Sequence, residues 1–575
     1  MRFVLTSLAL LAWSISQAQS QRQRRDLDPD WVNQPTGFYR RGYLSSIVCG
    51  DYLYLDGGVV FTENETLPVK STYSIPLAES WDPSEVQLKR IDKGDAAPVY
   101  NNPNLWLQTD NASFFSFNGD IAGEWLGTAR TPKATPELWR FAPDGHGSGS
   151  WSLISTVPNL AQSVNAALAT SNGVAYFLGG DQTEGTNPIL LSESSSVVLS
   201  SNGLVSYNMS SQTWTNQSVA HILPNGLTWN AQLHHLVGIG NRALFLAMGG
   251  MTAIPGTSLS GLTQNPYNNV LIWNSMTNEW RNQSTTGDIP VGRDHACSVG
   301  LPGDNGTFEI FLYGGVHDVY LDTESELNIE MGQSVYVLSL PSFSWHKFSY
   351  PAQQVRSTQS CVIAARRQMI VVGGFPEGID RSTYGADPWP QGLGIFDLTA
   401  MTWNSYYNSD ARPYATPRRV KNYLAANGSY PQQWNDETVE QWIKGSTVTN
   451  TTAPPSGTSS AATSAPTHHS SSKTADIVGG VVGSVVGVLL LSALLWFLLR
   501  RNRRRRAQAE RQEQVQYTKP ELDDSSAALQ AQNGSNKAKH VGTVSGPSEL
   551  SGMPMHELEG SPSAYELSND HRDGR

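Results

Sequence analysis

The sequence predicts an all-β ectodomain carried on one transmembrane α-helix. Three observations carry this reading. Five apolar, strand-forming runs end in Gly-Gly, six tryptophans recur behind them at nearly constant spacing, and residues 477–499 form an uncharged segment. Charged residues are only 15% of the 575 positions while glycine numbers 51, a balance that fits short strands joined by tight turns. The net charge of −11 argues against a general nucleic-acid binder.

The Gly-Gly runs are DYLYLDGG (Gly57, Gly58), VAYFLGG (Gly179, Gly180), ALFLAMGG (Gly249, Gly250), EIFLYGG (Gly314, Gly315) and QMIVVGG (Gly373, Gly374), with a degenerate copy at Ser113–Asp120. Behind them stand Trp81, Trp151, Trp214, Trp280, Trp345 and Trp403, one to a repeat. Seven residues before three of these tryptophans is an aromatic, Tyr207, Trp273 or Phe396, and Leu338 takes that place before Trp345. Each unit therefore reads as four strands. An apolar strand comes first, then the strand ending in Gly-Gly, then an aromatic strand, and a Trp strand closes the unit. The glycines permit positive φ and close backbone approach where a strand ends abruptly. The Trp supplies a large surface to bury between neighbouring sheets.

This repeat resembles the kelch motif, whose units form the blades of β-propellers. The fifth unit shows it best, with Gly292-Arg293-Asp294-His295-Ala296 ahead of EIFLYGG and Trp345, and the resemblance runs from about Arg40 to Tyr407. The second unit departs from it, with Asn118-Gly119-Asp120 in place of the doublet. The resemblance implies a kelch-type β-propeller over residues 37–410 with six recognisable blades, a seventh being left open by the unassigned stretches Trp31–Arg40 and beyond Trp403. An open ring leaves two strand edges unpaired, so Gly37–Ser45 is the candidate closing strand. Residues 411–445 are expected to form a short helical cap.

Topology follows from the two apolar segments. Met1–Ser20 has the charged start, short apolar run and small-residue end of a secretory signal. Residues 21–36 read as a leader, either a propeptide trimmed after Arg25 or a polar spacer. Ile477–Leu499 is long enough to span hydrocarbon, and the six arginines of the next seven positions hold the C-terminus in the cytoplasm. The expectation is a single-pass type I protein of the plasma membrane or cell surface. Gly479, Gly483 and Gly487 offer a close-packing stripe through which the helix could form a homodimer. Sequons at Asn64, Asn111, Asn208, Asn216, Asn282, Asn305, Asn427 and Asn450 all precede the membrane segment, as glycosylation requires. Residues 446–475 hold 16 Ser or Thr and three Pro, the composition of an O-glycosylated stalk. Residues 500–575 read as a disordered cytoplasmic tail, whose repeated Glu-Leu dipeptides are candidate contacts for an adaptor.

The whole arrangement is similar to fungal kelch-repeat membrane proteins, which implies a surface interaction protein and supplies no ligand. In kelch propellers the loops after the Gly-Gly strands build one face. Here they include Val316–Gly332, with His317, Asp318 and Tyr320, and Phe375–Gly392, with Arg381, Tyr384, Asp387 and Trp389. Long loops on a rigid scaffold commonly carry function, and aromatics beside carboxylates suit a glycan or peptide. The competing reading packs Trp389 on its own blade. His295, in the Arg-x-His place of the motif, is expected to make an internal hydrogen bond.

No HExxH, nucleophile elbow, phosphate-binding loop or Cys/His metal spacing occurs, so no cofactor or metal is expected. The copper radical oxidases among kelch proteins need a Tyr–Cys crosslink and His ligands, and no such cluster is visible. Cys49, Cys297 and Cys361 lie in apolar runs, so buried free thiols are the expectation, with one bridge left open by the oxidising compartment. The leading function is a membrane-anchored binding or adhesion module for a glycan or protein. The alternatives are a cofactor-free propeller enzyme acting on carbohydrate and an accessory protein of the secretory pathway.

Overall fold

In the computed structural model, described over residues 40–445 apart from 63–65, 95, 122–134, 193–198, 202, 220–228, 241, 254–261, 318–329, 352–355 and 377–384, each repeat becomes one four-stranded antiparallel sheet. The chain divides into two units, Met1–Ala453 and Pro454–Arg575, and all described residues belong to the first. The signal, leader, stalk, membrane segment and tail expected from sequence lie outside the described residues. Among the described residues no helix is long and apolar enough to cross a membrane.

Sheet one is Ser45–Cys49, Tyr52–Asp56, Ser71–Pro76 and Lys89–Asp92, and sheet two is Asn104–Leu107, Phe114–Phe117, Glu137–Pro143 and Gly149–Thr156. Sheet three is Ala167–Ser171, Val174–Leu178, Gly203–Asn208 and Thr213–Ser218, and sheet four is Gln232–His235, Leu244–Met248, Asn269–Asn274 and Glu279–Ser284. Sheet five is Cys297–Pro302, Phe308–Tyr313, Ser334–Leu340 and Ser344–Ser349, with Thr286–Gly287 added along its fourth strand. Sheet six is Ser360–Ala364, Gln368–Val372, Leu393–Asp397 and Thr402–Asn404.

Neighbouring sheets bury their faces on one another, which explains the continuous apolar runs of the second and third strands. In sheet five both of these strands are buried at every residue, as expected of strands covered on two faces. Separate apolar clusters join sheets one and two, two and three, three and four, four and five, and five and six. A further cluster joins sheet six to sheet one, placing Ile370, Val372 and Ile395 against Leu53, Tyr73 and Ile75. Each fully buried Leu, Ile, Val or Phe contributes about 1.5–3 kcal/mol.

The seven-residue spacing before tryptophan is a cross-strand pair. Tyr207 faces Trp214, Trp273 faces Trp280, Leu338 faces Trp345 and Phe396 faces Trp403. Between the last paired residues of these strands runs a turn whose final residue is left-handed: Gln212, Asn278, Phe343 or Met401. Asn208, Asn274 and Asp397 start three of these turns by accepting bonds from the second and third backbone N–H groups after them. The first repeat departs from the expectation. Trp81 is not on the fourth strand, Lys89–Asp92, but stacks on Tyr407 at 4.9 Å and bridges to it through the backbone. This ties the chain beyond sheet six to sheet one.

The closing-strand expectation is also corrected. Arg40–Gly42 pairs with Val59–Phe61, just past the first doublet, while sheet six is completed by its own consecutive chain. The segment still joins the last repeat to the first, not as a strand of sheet six but through single backbone bonds, Gly374 N donating to Arg41 O at 2.7 Å and Tyr43 N to Thr358 O at 3.1 Å, beside the Trp81–Tyr407 bridge, the shared apolar cluster and a Ser46–Ser360 hydroxyl pair at 2.7 Å. The cysteines differ from expectation too. Cys297 and Cys361 form a disulfide between the first strands of sheets five and six, with Cα atoms 5.7 Å apart, and only Cys49 is a buried free thiol. The pairing needs strands from two successive repeats to lie side by side, which spacing in the chain does not reveal.

Two helices follow sheet six: α1, Arg418–Asn427, and α2, Glu437–Lys444. Asp436 caps α2 by accepting from Thr438 N at 2.7 Å. Gly445 ends it in the left-handed region. Val439, Trp442 and Ile443 of α2 bury against sheets four and five. Ahead of α1, Tyr414 and Thr416 donate to Glu309, a buried carboxyl on the second strand of sheet five. Burial outweighs these bonds and raises the Glu309 pKa to about 7.

Gly250→Ala forces a side chain into the left-handed region and hard against the backbone at Trp229 and Ala231. Gly94, equally left-handed, has open space around it. Urea unfolding is expected to show a loss of about 1 kcal/mol for Gly94→Ala and clearly more for Gly250→Ala. For Glu309, a folded-state pKa raised above the unfolded value favours the protonated fold. Its stability contribution therefore falls as pH rises from about 4.5 to about 7. Glu309→Gln should match wild type near pH 4 and exceed it at pH 8, by up to about 3 kcal/mol, in parallel thermal melts.

Candidate functional site

Antiparallel alternation sorts the connections onto two faces. The doublets end second strands, so the loops after them and the crossings into each next first strand share one face. The turns between first and second strands lie on the other, where α1 and α2 pack. There Gly240 lies against Trp442, and Asp304 N donates to Thr416 Oγ1 at 3.0 Å.

On the doublet face, the residue leading into each first strand is left-handed. These residues are Tyr43, Asn102, Asn165, Asn230, His295 and Thr358, with φ between 46° and 60°. Asn tolerates this region better than most residues, and Asn supplies three of the six. Hydrogen bonds link them in order. Asn102 N donates to Tyr43 O (2.6 Å), Asn102 Nδ2 to Asn165 Oδ1 (2.9 Å) and Asn230 N to Asn165 O (3.0 Å). Asn230 Nδ2 donates to Asp294 Oδ1 (2.8 Å), Thr358 N to His295 O (3.2 Å) and Tyr43 N to Thr358 O (3.1 Å).

Buried charges brace this belt. Two residues before the left-handed position in three repeats stands a buried arginine, Arg41, Arg293 or Arg356, each lying over an aromatic ring: Tyr73, Tyr336 or Trp389. Asp181, following the doublet of the third repeat, accepts from Asn165 Nδ2 at 3.0 Å, and burial raises its pKa well above the usual range. Asp294 is equally buried. Desolvation pulls it upward, but His295 and the bonds from Asn230 and the His295 backbone outweigh that and hold it below the usual value. His295 Nδ1 lies 3.0 Å from Asp294 Oδ2, an ion-pair contact between neighbouring residues of the same repeat.

The candidate loop residues meet different fates. The Asp387 side chain is buried, only 1% exposed, and makes a two-pronged ion pair with Arg356 at 2.8 and 2.9 Å. Trp389 lies under the Arg356 guanidinium at 3.9 Å and beside Tyr313 and Trp403. Both are placed in the framework of sheet six, because a buried guanidinium demands a carboxylate and a ring there. His317 is half-buried on the doublet face with Nδ1 2.7 Å from Gly292 O. Asp318, Tyr320, Arg381 and Tyr384 lie outside the described residues. Among the sequons, Asn111, Asn216, Asn282 and Asn427 are exposed and Asn208 is half-buried in its turn. The Asn305 side chain, Asn64 and Asn450 lie outside what is described.

The first strands of all six sheets line one cavity of about 610 Å3. Ser46, Asn104, His234, Ser298 and Ser360 belong to its wall, and so does the Cys297–Cys361 bridge. His234 Nε2 lies 2.8 Å from Ser298 Oγ, and desolvation pushes the His234 pKa down to about 4. Sequence reasoning missed this site. A signal was present in the Asn102, Asn165 and Asn230 spacing and in the small residues of the first strands, but neither implies a cavity until the strands are brought together. No three His, Cys, Asp or Glu side chains among the described residues are placed to hold a metal. Compared with known protein families and with curated proteins, the chain gives no match.

Asp387→Ala leaves the Arg356 guanidinium buried without its carboxylate. It should cost about 3–5 kcal/mol in denaturant unfolding. A variant of wild-type stability would return Asp387 to the list of ligand-contacting residues.

Proposed function

We propose that this chain is a six-bladed kelch-type β-propeller, held at the cell surface by a single type I membrane anchor, and that it works as a recognition module for a glycan or protein outside the membrane. The belt of hydrogen bonds running from sheet one through sheet six and back supports the propeller reading. The single observation that carries the recognition reading is the division of faces. The doublet face gathers the long loops, while the helices leading to residue 445 pack on the opposite face. The stalk sets the distance, and the tail is the proposed contact for a cytoplasmic adaptor.

The buried state of the carboxylates favours recognition over acid–base catalysis. Asp181 and Asp294 are 2% exposed, are committed to Asn165 and Asn230, and do not line the cavity.

The test is to express Asp26–Gly445 as a secreted glycoprotein and measure binding to cell-wall polysaccharides and surface glycoproteins. Saturable binding that weakens at least tenfold in an Arg381→Ala/Tyr384→Ala variant of unchanged melting temperature is expected. Binding to none of these, together with turnover of a carbohydrate substrate, would replace recognition by the enzyme reading.

A further inference from the structure

The cavity wall carries hydroxyl, amide and imidazole groups and, among the described residues, no Asp, Glu, Lys or Arg. A charged ligand entering it would lose water without gaining a counter-charge, which is strongly unfavourable. A ligand rich in neutral hydroxyls meets groups that both donate and accept. Ser46 and Ser360 share one hydrogen bond at 2.7 Å, and Ser298 and His234 share another at 2.8 Å. Each pair engages one proton and leaves lone pairs and, for the serine pair, a second hydroxyl proton to offer. At about 610 Å3 the space lies within the range of small-molecule sites, about 300–1,000 Å3. The wall also has partly exposed apolar side chains, Val48, Leu168 and Val362, on which the carbon face of a sugar ring can rest.

We propose that the central cavity is a binding site for a neutral saccharide, a single ring or the end of a chain, held by Ser46, Ser298, Ser360 and His234, and that it discriminates against acidic and amino sugars. This rests on the recognition reading and moves the specificity from the loops to the first strands.

The experiment is calorimetric titration of the purified full chain with the methyl glycosides of glucose, galactose and mannose, with N-acetylglucosamine, and with glucuronate and glucosamine. At least one neutral sugar should bind saturably and its charged counterpart at least tenfold more weakly. Ser298→Ala should weaken the neutral sugar by about five- to tenfold, the worth of one hydrogen bond of about 1 kcal/mol, in a chain that is still folded. Should Ser298→Ala fail to fold, the charge series on the wild-type chain still decides the matter. Glucuronate or glucosamine binding as tightly as the neutral sugar would overturn the proposal, as would neutral-sugar binding unchanged in Ser298→Ala. Binding of none of these sugars would also overturn it. The recognition reading would then stand or fall separately on the polysaccharide and glycoprotein binding of the secreted fragment.

Discussion

The left-handed residue ahead of each first strand is the constraint on which the rest of the structure depends. At that point the chain turns into a first strand, at five of the six corners after crossing from the preceding sheet. A positive φ makes the corner sharp enough, and the freed N–H and amide groups then find partners on the neighbouring corner. The belt of bonds from Tyr43 to Thr358 fixes how far apart the six first strands stand. That separation sets the width of the cavity. Asparagine lowers the strain at three of the six corners, and at Tyr43, His295 and Thr358 the strain is offset by bonds that an unstrained crossing would not make.

The belt also explains where the charges went. Burying the corners buries Arg41, Arg293 and Arg356 with them, and each guanidinium then lies over an aromatic ring. Arg293 also donates to Gly314 O, and Arg356 to Asp387. Asp181, Asp294 and Asp387 are consumed in the same way. Carboxylates that look free in the sequence thus belong to the scaffold, and the cavity inside the belt is left polar and uncharged. The two faces follow from the same geometry. Corners and post-doublet loops share one side, and the short turns of the other side leave an apolar floor under sheets four and five that Val439, Trp442 and Ile443 cover.

Local features were legible because they obey local rules. The doublets marked strand ends, since both glycines of every doublet have positive φ, as do Asn118 and Gly119 in the degenerate copy. The seven-residue interval before Trp214, Trp280, Trp345 and Trp403 is the reach of a tight hairpin from one strand to its partner. Trp81 broke the pattern because its partner, Tyr407, comes from the far end of the repeat array, and its strand position was given up to that contact. Trp389 and Asp387 sit in a polar, Gly- and Pro-rich stretch that reads as an exposed loop, and only the approach of Arg356 shows what they are for.

The sequence by itself determined the repeat, its four-strand content, the turn chemistry and the glycines whose backbone must be left-handed. These depend on steric limits and on periodicity within a single repeat. Tertiary structure alone decided that Cys297 meets Cys361, that Ser46 meets Ser360, and that six ordinary first strands line a neutral cavity. Those outcomes depend on the angle and distance between sheets, which are set by packing faces against one another and are written in no single segment of the chain.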